Sequence, residues 1–252
     1  MAFISNLTTW FKESLASSGT RPVDKPPTQR EIDAAKWFKA TFENQIRTAT
    51  QGLPITTNLL TAIAMQETYY IWVKIYQILP VDQVLLHCTG DSIGEPDRTV
   101  RPKTIDDLKS WPHGEMMFGI ARECLARTGN YIKSYAEKYA ADPKIFCHGY
   151  GIFQYDIQFF NEDPDFFLQQ KWVHFDECLN LVTRELIRAL GSLSFRNKAK
   201  LSHAECIYLA IAYNQGSARL NGSFRQGHWN KYERTYYGEY IDRYLGMIEK
   251  FT

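Results

Sequence analysis

The chain has 252 residues, 44% of them hydrophobic, with 29 Lys plus Arg against 28 Asp plus Glu. That composition describes a globular protein able to bury a core without disulfide staples. A net charge of +1 excludes the broad basic footprint of a nucleic-acid-binding protein, and there is no long apolar run to span a membrane.

In chain order, residues 1–18 place Phe3, Ile4, Leu7, Trp10 and Phe11 at roughly helical spacing, broken by Asn6, Lys12 and Glu13. This reads as a short amphipathic docking helix and lacks the shape of a signal peptide. Residues 17–29, SSGTRPVDKPPTQ, read as a linker. The segment 1–29 is thus set apart from a body spanning 30–252. Residues 30–50 have helical composition. A second helix is expected over 56–79, opened by Pro54 and Thr56 or Thr57 and closed before Pro80. Residues 81–113, with Gly90, Gly94, Pro96, Pro102 and Pro112, are irregular and have room for a small hairpin.

Helical pattern returns over 114–141, where Met117, Ile120, Ala121, Leu125, Ile132, Tyr135 and Tyr139 share one side. Gly149 and Gly151 punctuate a turn. Asp163-Pro164 opens a helix running to about Gly191, with Leu168, Phe175, Leu179, Val182, Leu186 and Leu190 on its apolar face. Ser202 and Glu205 form a capping box for a helix over 203–215. Asn221-Gly222 is a turn, and a last helix spans 237–250. No stretch alternates long enough to demand a large sheet. The fold class expected is mainly α, a helical bundle with at most a small β-hairpin.

The five cysteines, Cys88, Cys124, Cys147, Cys178 and Cys206, cannot all pair within one chain, and none forms a CxxC motif. Buried, reduced thiols are expected, with synthesis in the cytoplasm. The adjacent pairs His87-Cys88 and Cys147-His148 do not supply the geometry of a nucleophile and its base. No zinc spacing, P-loop or dinucleotide turn is present, so no metal and no cofactor is expected.

One carboxylate stands out. In LLTAIAMQETYYIW, Leu59, Leu60, Ile63 and Ala64 set a buried stripe that Ile71, Ile75 and Ile78 continue. Glu67 falls four residues after Ile63 and seven after Leu60, on the apolar face of the helix. Lost hydration raises a carboxyl pKa and keeps it protonated near neutral pH. A general acid for glycosidic cleavage needs that state. A structural Glu paired with Arg or Lys fits the same position.

Three later segments keep a definite order: HGYGIFQYD (148–156), AIAYNQG (210–216) and ERTYYGEYIDRYL (233–245). With the Glu67 helix they resemble the lysozyme-like superfamily, in particular goose-type lysozymes and lytic transglycosylases. The resemblance implies a lysozyme-like α+β domain, with an insertion at about 81–147. It makes Glu67 the catalytic acid, followed by Thr68 where Ser is usual. Gly151-Ile152-Phe153-Gln154 looks like the cleft-lining Gly-Leu-Met-Gln segment. Gly151 would let backbone approach a sugar, and Gln154 would offer its amide to an N-acetyl group or to the acid. Tyr213-Asn214 looks like the pair that supports the acid.

Asp156 follows Gln154 at the spacing of a goose-type pattern. As a second carboxylate roughly 6.5 to 9.5 Å from the acid it would activate water for inverting hydrolysis. Without such a base, the resemblance implies a 1,6-anhydro product, formed by the muramic C6 hydroxyl. Asp91, Glu95, Asp97 and Glu115 are further candidates for the base. Arg98, Arg101 and Lys103 form a small positive loop, and Tyr232, Tyr236, Tyr237 and Tyr240 can line a sugar groove, although Tyr240 and Tyr244, at helical spacing, also fit the core.

The function expected is cleavage of β-1,4 bonds in an amino-sugar polysaccharide, peptidoglycan foremost. A chitinase- or chitosanase-like hydrolase and a non-catalytic glycan- or protein-binding module stay open. Without a signal peptide, action on a cell wall implies a non-classical or dedicated export route, or a delivery partner, and leaves room for an immunity partner.

Overall fold

The computed structural model describes residues 21–93, 100–216 and 220–251. Their elements run α1 Gln29–Ala49, α2 Thr57–Trp72, α3 Val81–His87, β1 Thr89–Ile93, α4 Ile105–Lys109, α5 Gly114–Gly129, α6 Lys133–Ala141 and β2 Phe146–Tyr150. They continue with β3 Tyr155–Asp156, α7 Pro164–Leu168, α8 Phe175–Ser192, α9 His203–Gln215, β4 Trp229–Asn230, β5 Thr235–Tyr236 and α10 Tyr237–Ile248. The described residues are mainly helical, as the periodicity predicts, and carry two small antiparallel sheets. Among the described residues no helix is long and apolar enough to cross a membrane.

Two compact units are formed. One joins the residues up to Glu67 with those from Leu179 onward; the other is the continuous stretch Thr68–Cys178.

In the discontinuous unit, α1 opens with a reciprocal capping box between Thr28 and Glu31, which satisfies amide donors that a helix start leaves unpaired. Its buried residues Ala34, Ala35, Phe38, Phe42 and Ile46 recur at helical spacing. The Ser202–Glu205 box opens α9 as expected. α10 packs on α9 and α1. Arg243 joins it to α1 through a two-pronged pair with Glu31, at 2.7 and 2.9 Å. Arg21 Nη1 donates to Glu239 Oε1 at 2.7 Å. The described part of the expected linker, a 3-10 turn at Pro22–Asp24, is therefore tied to α10 and does not run free. The expected amphipathic helix over 1–18 lies outside the described residues.

The continuous unit holds the larger sheet, ordered β1-β2-β3, with Thr89 opposite Tyr150 and Gly149 opposite Asp156. Among the described residues of the irregular stretch 81–113, the one strand, β1, pairs with β2 from far along the chain. The expected helix over 114–141 is two helices, broken at Asn130–Ile132. Arg122 gathers the chain after the break by donating to the carbonyls of Tyr139, Asp142 and Ile145. Tyr139 itself is exposed, beneath the Arg122 guanidinium.

Two further expectations are corrected. The helix of 56–79 ends at Trp72. Beyond it, Lys74 and Ile75 bond back three residues, to Ile71 and Trp72. The tighter turn shifts the angular period, and Ile78 emerges into solvent. The helix of 164–191 is split by Gln170, at φ 51, between α7 and α8.

Candidate active site

Glu67 sits near the end of α2. From Leu59 to Val73 every residue is buried, so α2 is dry all round and the one-sided stripe read from sequence is too narrow a picture. Glu67 is 2% exposed. Burial pushes its carboxyl up to about 8, and the hydroxyl of Tyr237 works in the opposite direction. That hydroxyl stands close enough to favour the carboxylate without completing a bond of good geometry. Among the described residues, neither Glu67 Oε1 nor the Tyr237 hydroxyl has a hydrogen-bond partner. Burial first, then the neighbouring Glu67 and Tyr213, hold the Tyr237 hydroxyl protonated.

Tyr237 is placed by a short relay of backbone bonds. It is the first residue of α10, and its amide donates to the carbonyl of His228 at 2.9 Å. Gly238 N donates to the Gln226 carbonyl at 3.0 Å. The 226–228 segment is in turn gripped by the end of α9. Asn214 Oδ1 accepts from His228 N, and Gln215 Oε1 accepts from Gly227 N, both at 2.8 Å. Gly227 has φ 84, and a Cβ there would lie 2.6 Å from Tyr237 Cβ. Only glycine takes that backbone without strain and lets Tyr237 pack so closely.

Three of the six expected site residues, Glu67, Tyr213 and Asn214, therefore belong to one unit. Tyr213 is buried beside Tyr237, and Asn214 is 1% exposed, its carbonyl oxygen spent on backbone. Tyr237 is the neighbour of Glu67 that sequence reasoning missed. Its signal lay in the Tyr-rich ERTYYGEYIDRYL segment, which does not reveal which Tyr turns inward.

Gly151, Gln154 and Asp156 belong to the other unit. Gly151, at φ 79, opens the β2–β3 turn, and a Cβ there would lie 2.5 Å from Cys178 Sγ. Its freedom serves turn and packing. Gln154 Nε2 donates to the carbonyls of Gly151 at 2.8 Å and Cys88 at 3.3 Å. Its Oε1 has no partner among the described residues and lies against Gly90 and Gly149, which have no side chain to exclude it. Thr68 Oγ1 donates to the Ile152 carbonyl at 2.8 Å, fixing the same turn. Asp156 is 3% exposed. Its Oδ1 accepts from Gln158 N at 2.8 Å and its Oδ2 lies 3.3 Å from His148 Nδ1. It caps a turn and faces a buried histidine.

No protein-family model, curated protein or solved structure matches this chain.

The other candidates for a base divide simply. Glu115 is exposed and pairs with Lys109 at 2.9 Å. Glu95, Asp97 and the side chain of Asp91 lie outside the described residues, as does Arg98 of the positive loop. Arg101 pairs with Asp107 at 2.9 Å. Within the unit of Glu67, burial also pushes Glu233 up to about 9, against the pull of Arg243 and Lys25. Burial holds His228 down, at about 4, as a neutral imidazole. All five cysteines are buried thiols outside any disulfide. Among the described residues no group of three or more His, Cys, Asp or Glu is placed to hold a metal ion.

Proposed function

We propose that this protein is a lysozyme-like glycosidase that cleaves β-1,4 bonds of peptidoglycan, with Glu67 as general acid and then base. The observation that carries the reading is the state of Glu67: a carboxyl 2% exposed, pushed up to about 8, with Oε1 unbonded and a tyrosine hydroxyl beside it. A structural Glu paired with a cation would be held low, as Glu31 is held below the usual range by Arg243 against the effect of its burial. The ordered Gly-Ile-Phe-Gln, Tyr-Asn and Tyr-rich segments supply the substrate class by resemblance.

The protonated Glu67 gives its proton to the glycosidic oxygen as the bond to the anomeric carbon breaks, leaving an oxocarbenium-like sugar. The resulting carboxylate then takes the proton of the C6 hydroxyl as that oxygen closes on the anomeric carbon. A 1,6-anhydro sugar is released and Glu67 is restored. Among the described carboxylates, Asp156 has both oxygens engaged and Glu233 is held protonated, which speaks against either as a water-activating base and supports this route over inverting hydrolysis.

Digestion of purified sacculi with mass analysis of the soluble muropeptides tests both parts. Products lighter by one water than hydrolytic ones are expected. Glu67→Gln is expected to cut the rate by roughly 10²–10⁴-fold. Digestion by Glu67→Gln at the parental rate would remove Glu67 from the chemistry.

A further inference from the structure

The hairpin of β4 and β5 places Trp229 directly opposite Tyr236. Their rings are 4.6 Å apart and inclined by 44°. The alternate positions, Asn230 and Thr235, are 3% and 0% exposed, while Trp229 is 38% exposed. The aromatic pair therefore occupies the outward face, where an antiparallel sheet ordinarily carries polar residues. Charged groups fringe it. The Arg225 guanidinium lies 5.6 Å from the Tyr236 ring centre, and Lys231 Nζ 5.3 Å from that of Tyr232 on the same hairpin.

Among the described residues of this unit, Trp229 is the only large apolar side chain that is exposed. A protein partner docks on a contiguous apolar patch, and a single indole with basic neighbours is too small for that. It does match one sugar ring. A pyranose has an apolar C–H face that packs on an indole and a hydroxyl rim that accepts hydrogen bonds from Arg and Lys. The platform is also one residue from the acid's neighbour along both strands. Tyr236 precedes Tyr237, and Trp229 follows His228, whose carbonyl holds the Tyr237 amide at 2.9 Å.

We infer that Trp229 and Tyr236 form a stacking subsite for a β-1,4-linked chain of N-acetylated amino sugars. The inference rests on the glycosidase reading for its ligand class, but its test is separate from turnover.

Binding is measured in the Glu67→Gln background, by calorimetric titration with chitohexaose and by co-sedimentation with purified sacculi. Adding Trp229→Ala is expected to weaken both by about tenfold, the usual scale for truncating an aromatic anchor. Trp229→Tyr retains a ring and is expected to keep most of the affinity, with unchanged thermal melting in both variants. Equal affinity with and without the indole overturns the subsite, and so does absence of binding to both probes. If Trp229→Ala alters self-association by sedimentation velocity while glycan binding stays intact, the occupant is a protein surface and the inference also falls. Trp229-dependent binding by a protein whose parent digests no polymer would keep the subsite and overturn the acid.

Discussion

A carboxyl enclosed by apolar neighbours with one oxygen unbonded works against the folded state. For Glu67 the sign is definite. Its folded value of about 8 lies above the ordinary 4.5, so the unfolded chain gives up this proton first as pH rises. Between those limits the folded state holds more protons and stability falls with rising pH. Glu67→Gln replaces the group with a neutral amide of the same shape. It is expected to be more stable than the parent at pH 7 by on the order of 2–3 kcal/mol, with the difference vanishing near pH 4, as read by urea denaturation. Equal stability at pH 7 would mean that Glu67 ionises normally. Glu233 acts in the same direction, while His228, held neutral by burial, loses stability as pH falls from 6.5 through about 4. The position of Glu67 was legible because helical spacing alone carries it into the core. The identity of its neighbour was not, because Tyr237 arrives from the opposite end of the chain.

At the scale of elements, the end of α9 and the start of α10 act through the 226–228 segment that joins them. Asn214 does not need to touch a sugar to matter: it fixes the backbone on which Tyr237 hangs. Tyr237→Phe removes the one group that holds the Glu67 value down, so the alkaline limb of the pH–activity profile is expected to move upward, with roughly a tenfold loss of rate. Asn214→Ala is expected to reproduce that shift, Asn214→Asp to restore most of the rate through its retained acceptor, and the double variant to be no worse than the poorer single one. Additive losses would separate Asn214 from Tyr237. Local chemistry made some elements readable: the Ser202–Glu205 box and the period of α1 both stand where the sequence puts them. Elements set by distant pairing were not readable. β1 exists because β2 lies beside it, and the β4–β5 hairpin carries Lys-Tyr-Glu-Arg in its turn, with Arg234 at φ 53 where a glycine would have announced it. The end of α2 was hidden because Ile75 and Ile78 extend an apolar pattern that the backbone abandons after Trp72.

Across the whole molecule, five cysteines are spread over both units, and every one is a buried thiol outside any disulfide. Burial pushes Cys124 and Cys178 up to about 12 and Cys206 to about 11, which leaves almost no thiolate at neutral pH. A colorimetric disulfide reagent is expected to label none of them rapidly in the native protein and all five on addition of denaturant. A single fast native thiol would show a reactive cysteine that this packing does not provide. The division of the chain has another consequence. The unit that contains Glu67 is closed by α10, whose Tyr237 and Arg243 reach back to Glu67 and Glu31, whereas Thr68–Cys178 is continuous. The Thr68–Cys178 unit therefore needs only contacts along one continuous stretch, while the surroundings of Glu67 need contacts between segments far apart in the chain, which form more slowly.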